Sequence, residues 1–437
     1  MTSWSDHAIW WHLHPLTFTG AEPVALPPGT PPVDRLGRLE PWLDHLVELG
    51  CNGLALGPVF ASESHGYDTV DHFRIDPRLG TDADFDALVA SCRRRGVAVL
   101  LDGVFNHVGR GFAAFQDVLA RGPAASPYTS WFRIDPDAPG PDGFGYADFE
   151  GHRNLVALDH AEPAVADHVT AVMRHWLDRG AAGWRLDAAY AVPTAFWHQV
   201  VGRVRDTHPQ AWFVGEVIHG DYAAFAAAAD LESVTQYELW KAIWSSVNDR
   251  NFFELSWALT RHEAYAETMQ PLVFVGNHDV TRIASRVDDA RHLPHALVVQ
   301  FTVAGVPSVY AGDEHAFRGV KYDRAGGDAE IRPAFPADPS GLAPEGLPVY
   351  RLHQDLIGLR RRHPWLVRSR LKVVHLSNEV FAYRASSVDG GAALVVVLNL
   401  ADRPFVLDPA PAHRILGSDP AAPPGTVEPH GWVVLGD

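Results

Sequence analysis

With 437 residues, 47% of them hydrophobic, the chain can bury a large core, and its length suggests one big domain with smaller companions. A formal net charge of −17 excludes a nucleic-acid partner, which would need a basic stripe. No apolar run is long enough to span a membrane, so no membrane partner is expected.

The start, MTSWSDHAIWW, has no basic segment followed by an apolar one, so no secretory signal is read there. The two cysteines, Cys51 and Cys92, fall at a strand start and inside an amphipathic helix and read as buried reduced thiols. The expected location is the cytoplasm.

Short apolar runs alternate with stretches of helical period, the pattern of parallel strands joined by crossover helices. Residues 8–15 (AIWWHLHP) read as a first strand, 35–49 as helix, and the run CNGLALGPVF as a second strand. Helix 85–95 and strand 97–105 follow. Residues 108–159 break the alternation, with a turn cluster at 139–143 and many aromatics, and read as an irregular inserted domain whose aromatics wall a cleft. The alternation resumes with helix 163–179, strand 182–187, helix 193–208, strand 211–217 and a short strand near 233–237. A long helical stretch through Trp257, strand 271–275, helix 292–304, strand 306–310 and helix 349–363 complete eight repeats. From about Pro364 only β-type runs remain: VFAYRAS, ALVVVLNL and GWVVLGD.

The expected fold is α/β: a (β/α)8 TIM barrel with a short inserted domain after the third strand and a C-terminal antiparallel β-domain. The expected division is barrel 1–107, inserted domain 108–160, barrel 161–363 and C-terminal β-sandwich 364–437.

Four segments carry polar residues where a strand should simply stop: LLDGVFNH, GWRLDAA, FVGEV and FVGNHD. They place Asp102, His107, Arg185, Asp187, Glu216, His278 and Asp279 past buried runs, and in a parallel barrel those positions converge on one rim. A buried carboxylate is costly unless paired or used, so a cluster of them points to catalysis. Retaining glycoside hydrolysis needs a carboxylate nucleophile and a carboxylic acid roughly 5 Å apart. Asp187 and Glu216 end successive strands; Arg185 would hold Asp187 ionised, and the apolar frame of Glu216 suits a proton donor. Asp279 with His278 could grip sugar hydroxyls and favour the developing charge. Trp131, in the inserted stretch, is a candidate for sugar stacking, and His12 and His14 share a face of the first strand.

These segments resemble, in order and spacing, the signatures of the α-amylase family of retaining α-glycosidases, over almost the whole chain. The resemblance implies Asp187 as nucleophile, Glu216 as acid/base and Asp279 as transition-state stabiliser. It implies substrate contacts from Tyr67, His107, Arg185, His278 and Arg332, with Asp102 supporting the arginine and Asn106 anchoring a loop. SPYTSWFRI, GYADFEGH and AGWRLDAAYAVPTAFW look like the cyclomaltodextrinase, neopullulanase and maltogenic amylase group, whose members cut small or cyclic α-glucans to maltose. That group carries an N-terminal dimer-building domain, whereas the first strand here begins near Ala8, which leaves a homodimer open. Its Asn-Glu pair is Tyr190-Ala191 here, its Trp after Glu216 is Ile218, and its Met-Pro-Lys-Leu-Asn segment is 155–159, Leu-Val-Ala-Leu-Asp. These positions imply an altered leaving-group side.

The expectation is therefore a hydrolase of α-1,4 or α-1,6 bonds in small maltooligosaccharides, working without a cofactor. A structural calcium, common in the family, is not expected, because Ala188, Ala189 and Tyr190 replace the usual Lys-His and calcium wants six or more oxygens. A transglycosylase or isomerase would use the same triad. A non-catalytic binding relative is disfavoured by the three carboxylates.

Overall fold

In the computed structural model the described residues are 4–436, apart from 139, 325 and 412, so Pro139 of the expected 139–143 turn lies outside them. Eight strands form the central parallel sheet: β1 (Trp10–Leu13), β2 (Gly53–Leu56), β3 (Ala98–Gly103), β4 (Gly183–Leu186), β5 (Trp212–Gly215), β6 (Ser233–Val234), β7 (Leu272–Val273) and β8 (Val306–Tyr310). Each pairs with the next in sequence, β8 pairs with β1, and a single parallel bridge from Thr235 to Leu272 closes the ring. The chain is a TIM barrel, with every strand within the stretch expected for it.

Side chains alternate along each strand, and that alternation aims the site. On β1, Trp10 and His12 point inward while Trp11 and Leu13 join the outer core; on β4 and just beyond it, Arg185 and Asp187 are the inward positions. The floor is an apolar plug of Trp10, Leu100, Trp212 and Val214, the two indoles stacked 5.5 Å apart. Gly53 leaves room for the plug, since a Cβ there would sit 2.3 Å from the Trp10 ring. The charged groups inside the barrel lie above this plug, toward the C-terminal rim.

The helices around the barrel include α1 (Glu40–Leu49), α2 (Asp82–Arg94), α3 (Pro163–Asp178) and α4 (Thr194–Arg205). α5 (Tyr222–Ala229) was not expected; its run YAAFAAAA has almost no amphipathic pattern, though alanine propensity favours it. The long helix through Trp257 is two helices, α6 (Tyr237–Asn248) and α7 (Phe252–Ala266), broken where Arg250 takes φ +48°. The crossovers end with α8 (Leu293–Thr302) and α9 (Leu347–Arg362).

The inserted stretch is less irregular than its sequence suggests. It holds a helix, Ala113–Arg121, and a three-stranded antiparallel sheet of His107–Gly109, His152–Ala157 and Asp148–Phe149. Most of its aromatics join the barrel's outer core: Phe112, Phe115, Phe132, Phe144 and Tyr146 are buried, with Phe115 5.1 Å from Phe132 and 5.0 Å from Tyr146. They do not wall a cleft.

After α9 come β9 (Arg370–Leu376), β10 (Val380–Ser386), β11 (Ala393–Asn399), β12 (His413–Gly417) and β13 (Trp432–Gly436), an antiparallel sheet in the order β9-β10-β11-β13-β12. One face (Ala382, Val395, Val397, Val433) packs under the ribbon Phe405–Val406/Thr426–Val427, and the other (Phe381, Tyr383, Val396, Val434) joins the barrel's outer core. Burial on both faces explains why ALVVVLNL lacks alternation.

Candidate active site

The rim is organised around one guanidinium. The register sets Arg185 beside Asp102 on β3 and Val214 on β5. Arg185 Nη1 donates to both oxygens of Asp102 at 2.6 Å and lies 3.3 Å from Asp187 Oδ1, while Nη2 meets Glu216 Oε1 at 2.8 Å. Three carboxylates from three adjacent strands thus share one buried cation, an arrangement that offsets the desolvation each would suffer alone. The second oxygen of Glu216 accepts the backbone N–H of Ala188 at 3.0 Å, and the hydroxyl of Tyr237 donates to Oε1 at 3.2 Å. Ala188 makes that bond from a left-handed backbone, φ +43°. The apolar neighbours of Glu216 in sequence are therefore not what its carboxyl meets.

Asp279 stands on the β7 side. His278 Nε2 approaches its Oδ2 at 2.9 Å, and Arg332 Nη2 donates to Oδ1 at 2.8 Å while its Nε donates to the His278 carbonyl at 2.7 Å. Arg332 is occupied by protein groups, Asp328 included, rather than presented to the cleft. Tyr67 donates to Asp102 Oδ2 at 3.2 Å, bonds His278 Nε2, and stacks on the His278 ring. Asn106 reaches His107 Nδ1 at 3.1 Å. Tyr67, His107, Asp187, Glu216 and Asp279 all line one open cleft.

Burial pushes the Asp187 carboxyl well above the ordinary aspartate range; Glu216 and Asp102 add to the rise and Arg185 opposes it. Arg185 alone does not keep Asp187 at an ordinary value, contrary to the sequence expectation. For Asp279 burial acts in the same direction, but His278, Arg332 and Arg185 outweigh it and hold the group well below the usual range. Burial lowers His107 to about 4 and also lowers His12 and His14, which keeps these imidazoles neutral.

Sequence reasoning did not single out Tyr237, Asn277, Phe149 or Glu150 as site residues. Asn277 donates to Tyr237 Oη at 2.8 Å and accepts from Asp279 N–H at 2.8 Å, linking the Glu216 and Asp279 sides; it lay inside a quoted segment. Tyr237 opens α6 and gave no such signal. Trp131 packs on Phe112, Tyr128 and His168, not on the cleft.

Around Asn106 and the backbone after Asp187, where the resemblance would put a structural calcium, the oxygens have protein partners. The Asn106 carbonyl accepts from Leu158 N–H, the Ala189 carbonyl accepts from Trp197 Nε1, and residues 188–190 bring no carboxylate.

A closed parallel barrel with a carboxylate cluster on its C-terminal rim defines a barrel enzyme. Residues 39–338 match the family description "Alpha amylase, catalytic domain", and residues 368–435 match a domain of unknown function. A cyclomaltodextrinase of Geobacillus thermopakistaniensis is 30% identical over 420 residues, covering 91% of this chain and 69% of the relative. A maltogenic alpha-amylase of Bacillus acidopullulyticus is 30% identical over 430 residues, covering 91% and 70%. Among solved structures, the cyclic alpha-maltosyl-(1→6)-maltose hydrolase of Arthrobacter globiformis superposes with a TM-score of 0.83 at 27% identity, covering 99% of both chains. The chain belongs to the alpha-amylase family of glycoside hydrolases.

Proposed function

We propose that the protein hydrolyses α-1,4 and α-1,6 glucosidic bonds of small linear, branched or cyclic maltooligosaccharides with net retention, releasing mainly maltose. The observation that carries this reading is the Arg185 guanidinium with Asp102, Asp187 and Glu216 around it and Asp279 on the same cleft. Asp187 attacks the anomeric carbon as Glu216 gives its proton to the departing oxygen; Glu216 then takes a proton from water, which displaces Asp187. Asp279, held ionised, favours the positive charge that develops on the ring. Tyr67, His107 and His278 line or support the pocket of the sugar being cleaved, Arg332 positions Asp279, and Asp102 and Asn106 support Arg185 and His107.

The relatives support the substrate class: they are named for cyclic dextrins, for maltose and for a cyclic maltosyl-maltose. The chemistry runs on carboxylates alone, without a metal or cofactor. A cytoplasmic location suits the buried, unpaired thiols Cys51 and Cys92; among the described residues, no helix is long and apolar enough to cross a membrane. Time-resolved product analysis on cyclodextrins, maltotriose, panose, pullulan and starch, with the anomer of the first product read by NMR, tests the reading. Maltose of retained configuration is expected; inverted product, or no hydrolysis of any glucan, overturns it.

A further inference from the structure

Tyr190 belongs to no ion pair of the cluster, yet it lines the same cleft. Its backbone N–H donates to the Glu216 carbonyl at 3.3 Å, and its ring centroid lies 6.5 Å from that of His219. Its hydroxyl donates to Glu150 Oε1 at 2.9 Å. Glu150 comes from the inserted stretch, at the turn between strands Asp148–Phe149 and His152–Ala157. It takes φ +53°, a left-handed backbone that costs a non-glycine residue roughly 1 kcal/mol or more, so tertiary contacts must hold the turn in place. One such contact is Phe149, stacked on His107 at 4.8 Å and 14°. A single hairpin turn therefore touches His107, on the Tyr67 side of the cleft, and Tyr190, on the Glu216 side.

The chemistry gives these sides different meanings. A proton delivered by Glu216 lands on the departing oxygen, so groups beyond Glu216 meet the leaving sugar. There the cleft is bounded by Glu150, Tyr190 and Ile218. Ile218 and Tyr237 also line a second groove, shared with His219, Trp240, Lys241 and Arg261, so the two spaces join at these residues.

We propose that the Glu150–Tyr190 hydrogen bond determines leaving-group specificity. It ties the loop after β4 to the inserted hairpin and offers a carboxylate and a phenol to sugar hydroxyls. It also bounds the cleft, so a leaving saccharide must bend past Ile218 into the adjoining groove. A ring or a short branched saccharide is compact enough to turn there, whereas a long polymer must carry its remaining chain past the same boundary. The proposal rests on the glycosidase reading above.

Tyr190→Phe and Glu150→Gln each remove the bond and keep the shape. kcat/KM is measured for both variants, the double variant and the parent on 4-nitrophenyl α-maltoside, panose, a cyclodextrin and soluble starch. The aryl maltoside has no leaving sugar and reports on the chemistry alone. In each variant, kcat/KM on panose or cyclodextrin is expected to fall at least about tenfold more than on the aryl maltoside, and the preference over starch to narrow. The double variant is expected to lose little beyond either single one, since both break one interaction. Thermal melting checks folding, and the two variants are independent should one fail to fold. An equal loss on all substrates, an unchanged preference, or additive single effects overturns the proposal. A parent enzyme inactive on every glucan would overturn the glycosidase reading instead.

Discussion

Arg185 serves carboxylates with opposite titration behaviour, and two expectations follow at the residue scale. Because burial and its acidic neighbours raise Asp187 in the folded state, the fold binds that proton more tightly than the unfolded chain does. Stability is then lost as pH rises above the ordinary aspartate value, and at neutral pH the ionised group is a cost. Asp187→Asn should therefore lose several orders of magnitude in kcat while melting no lower than the parent at neutral pH; an active or markedly less stable variant contradicts this. Asp279 has the opposite sign, its stabilisation present above the unfolded value and lost as pH falls through the depressed one. The second expectation concerns Glu216→Gln, assayed on an activated aryl maltoside that needs no protonation. Removing a neighbouring negative charge lowers Asp187, so the acid limb of kcat/KM should move to lower pH; a limb that stays or moves upward removes the coupling. The strand-end residues were legible in the sequence because Asp102, Arg185, Asp187 and Glu216 each interrupt an apolar run. What each meets was not: the Ala188 amide and Tyr237 reach Glu216 through backbone geometry and through α6.

At the scale of elements, the barrel strands were readable because each is an apolar run between crossovers, and burial on both faces leaves little else for such a run to do. The inserted stretch was not, because its short strands lack the apolar runs and the strand-helix alternation that mark the barrel. Most of its aromatics looked like a sugar-binding wall and are instead buried in the core shared with the barrel, so they should behave as core. Phe115→Ala removes a ring with 0% exposure between Phe132 and Tyr146 and should cost about 3–5 kcal/mol, read by denaturant unfolding; a cost under about 1 kcal/mol would mean the unit is loosely packed. The same element bears on metal dependence. Calcium would need several oxygens near Asn106 and residues 188–190, where the Asn106 and Ala189 carbonyls accept protein hydrogen bonds and residues 188–190 supply no carboxylate of their own. Chelation should leave the melting temperature and kcat unchanged, and a fall reversed by calcium alone would show that the donors rearrange around the ion.

For the whole molecule, the cleft is decided by where the inserted unit meets the barrel. Of the inserted aromatics only Phe149 lines it, beside Glu150 and Leu155 of the same hairpin, and Tyr190, Ile218 and Lys321 line it as well. The C-terminal sheet contributes differently: it buries Phe381, Tyr383 and Val434 against the barrel, and Tyr383 bonds Thr302 on α8 at 2.5 Å, but none of its residues lines the cleft. Substrate length is then sensed at the inserted hairpin and the barrel loops that line the cleft with it. A cleft bounded there accommodates a short, bent or cyclic glucan in full, whereas a long chain must order further residues beyond Glu150 and Tyr190 at a cost in conformational freedom. The resulting expectation is that kcat/KM for a small cyclic or branched maltooligosaccharide exceeds that for soluble starch by at least about tenfold, roughly 1.4 kcal/mol in transition-state binding. Initial rates on both substrates, expressed per cleavable bond, measure it. Equal efficiency on starch, or glucose released singly from chain ends, would mean that the hairpin does not bound the cleft.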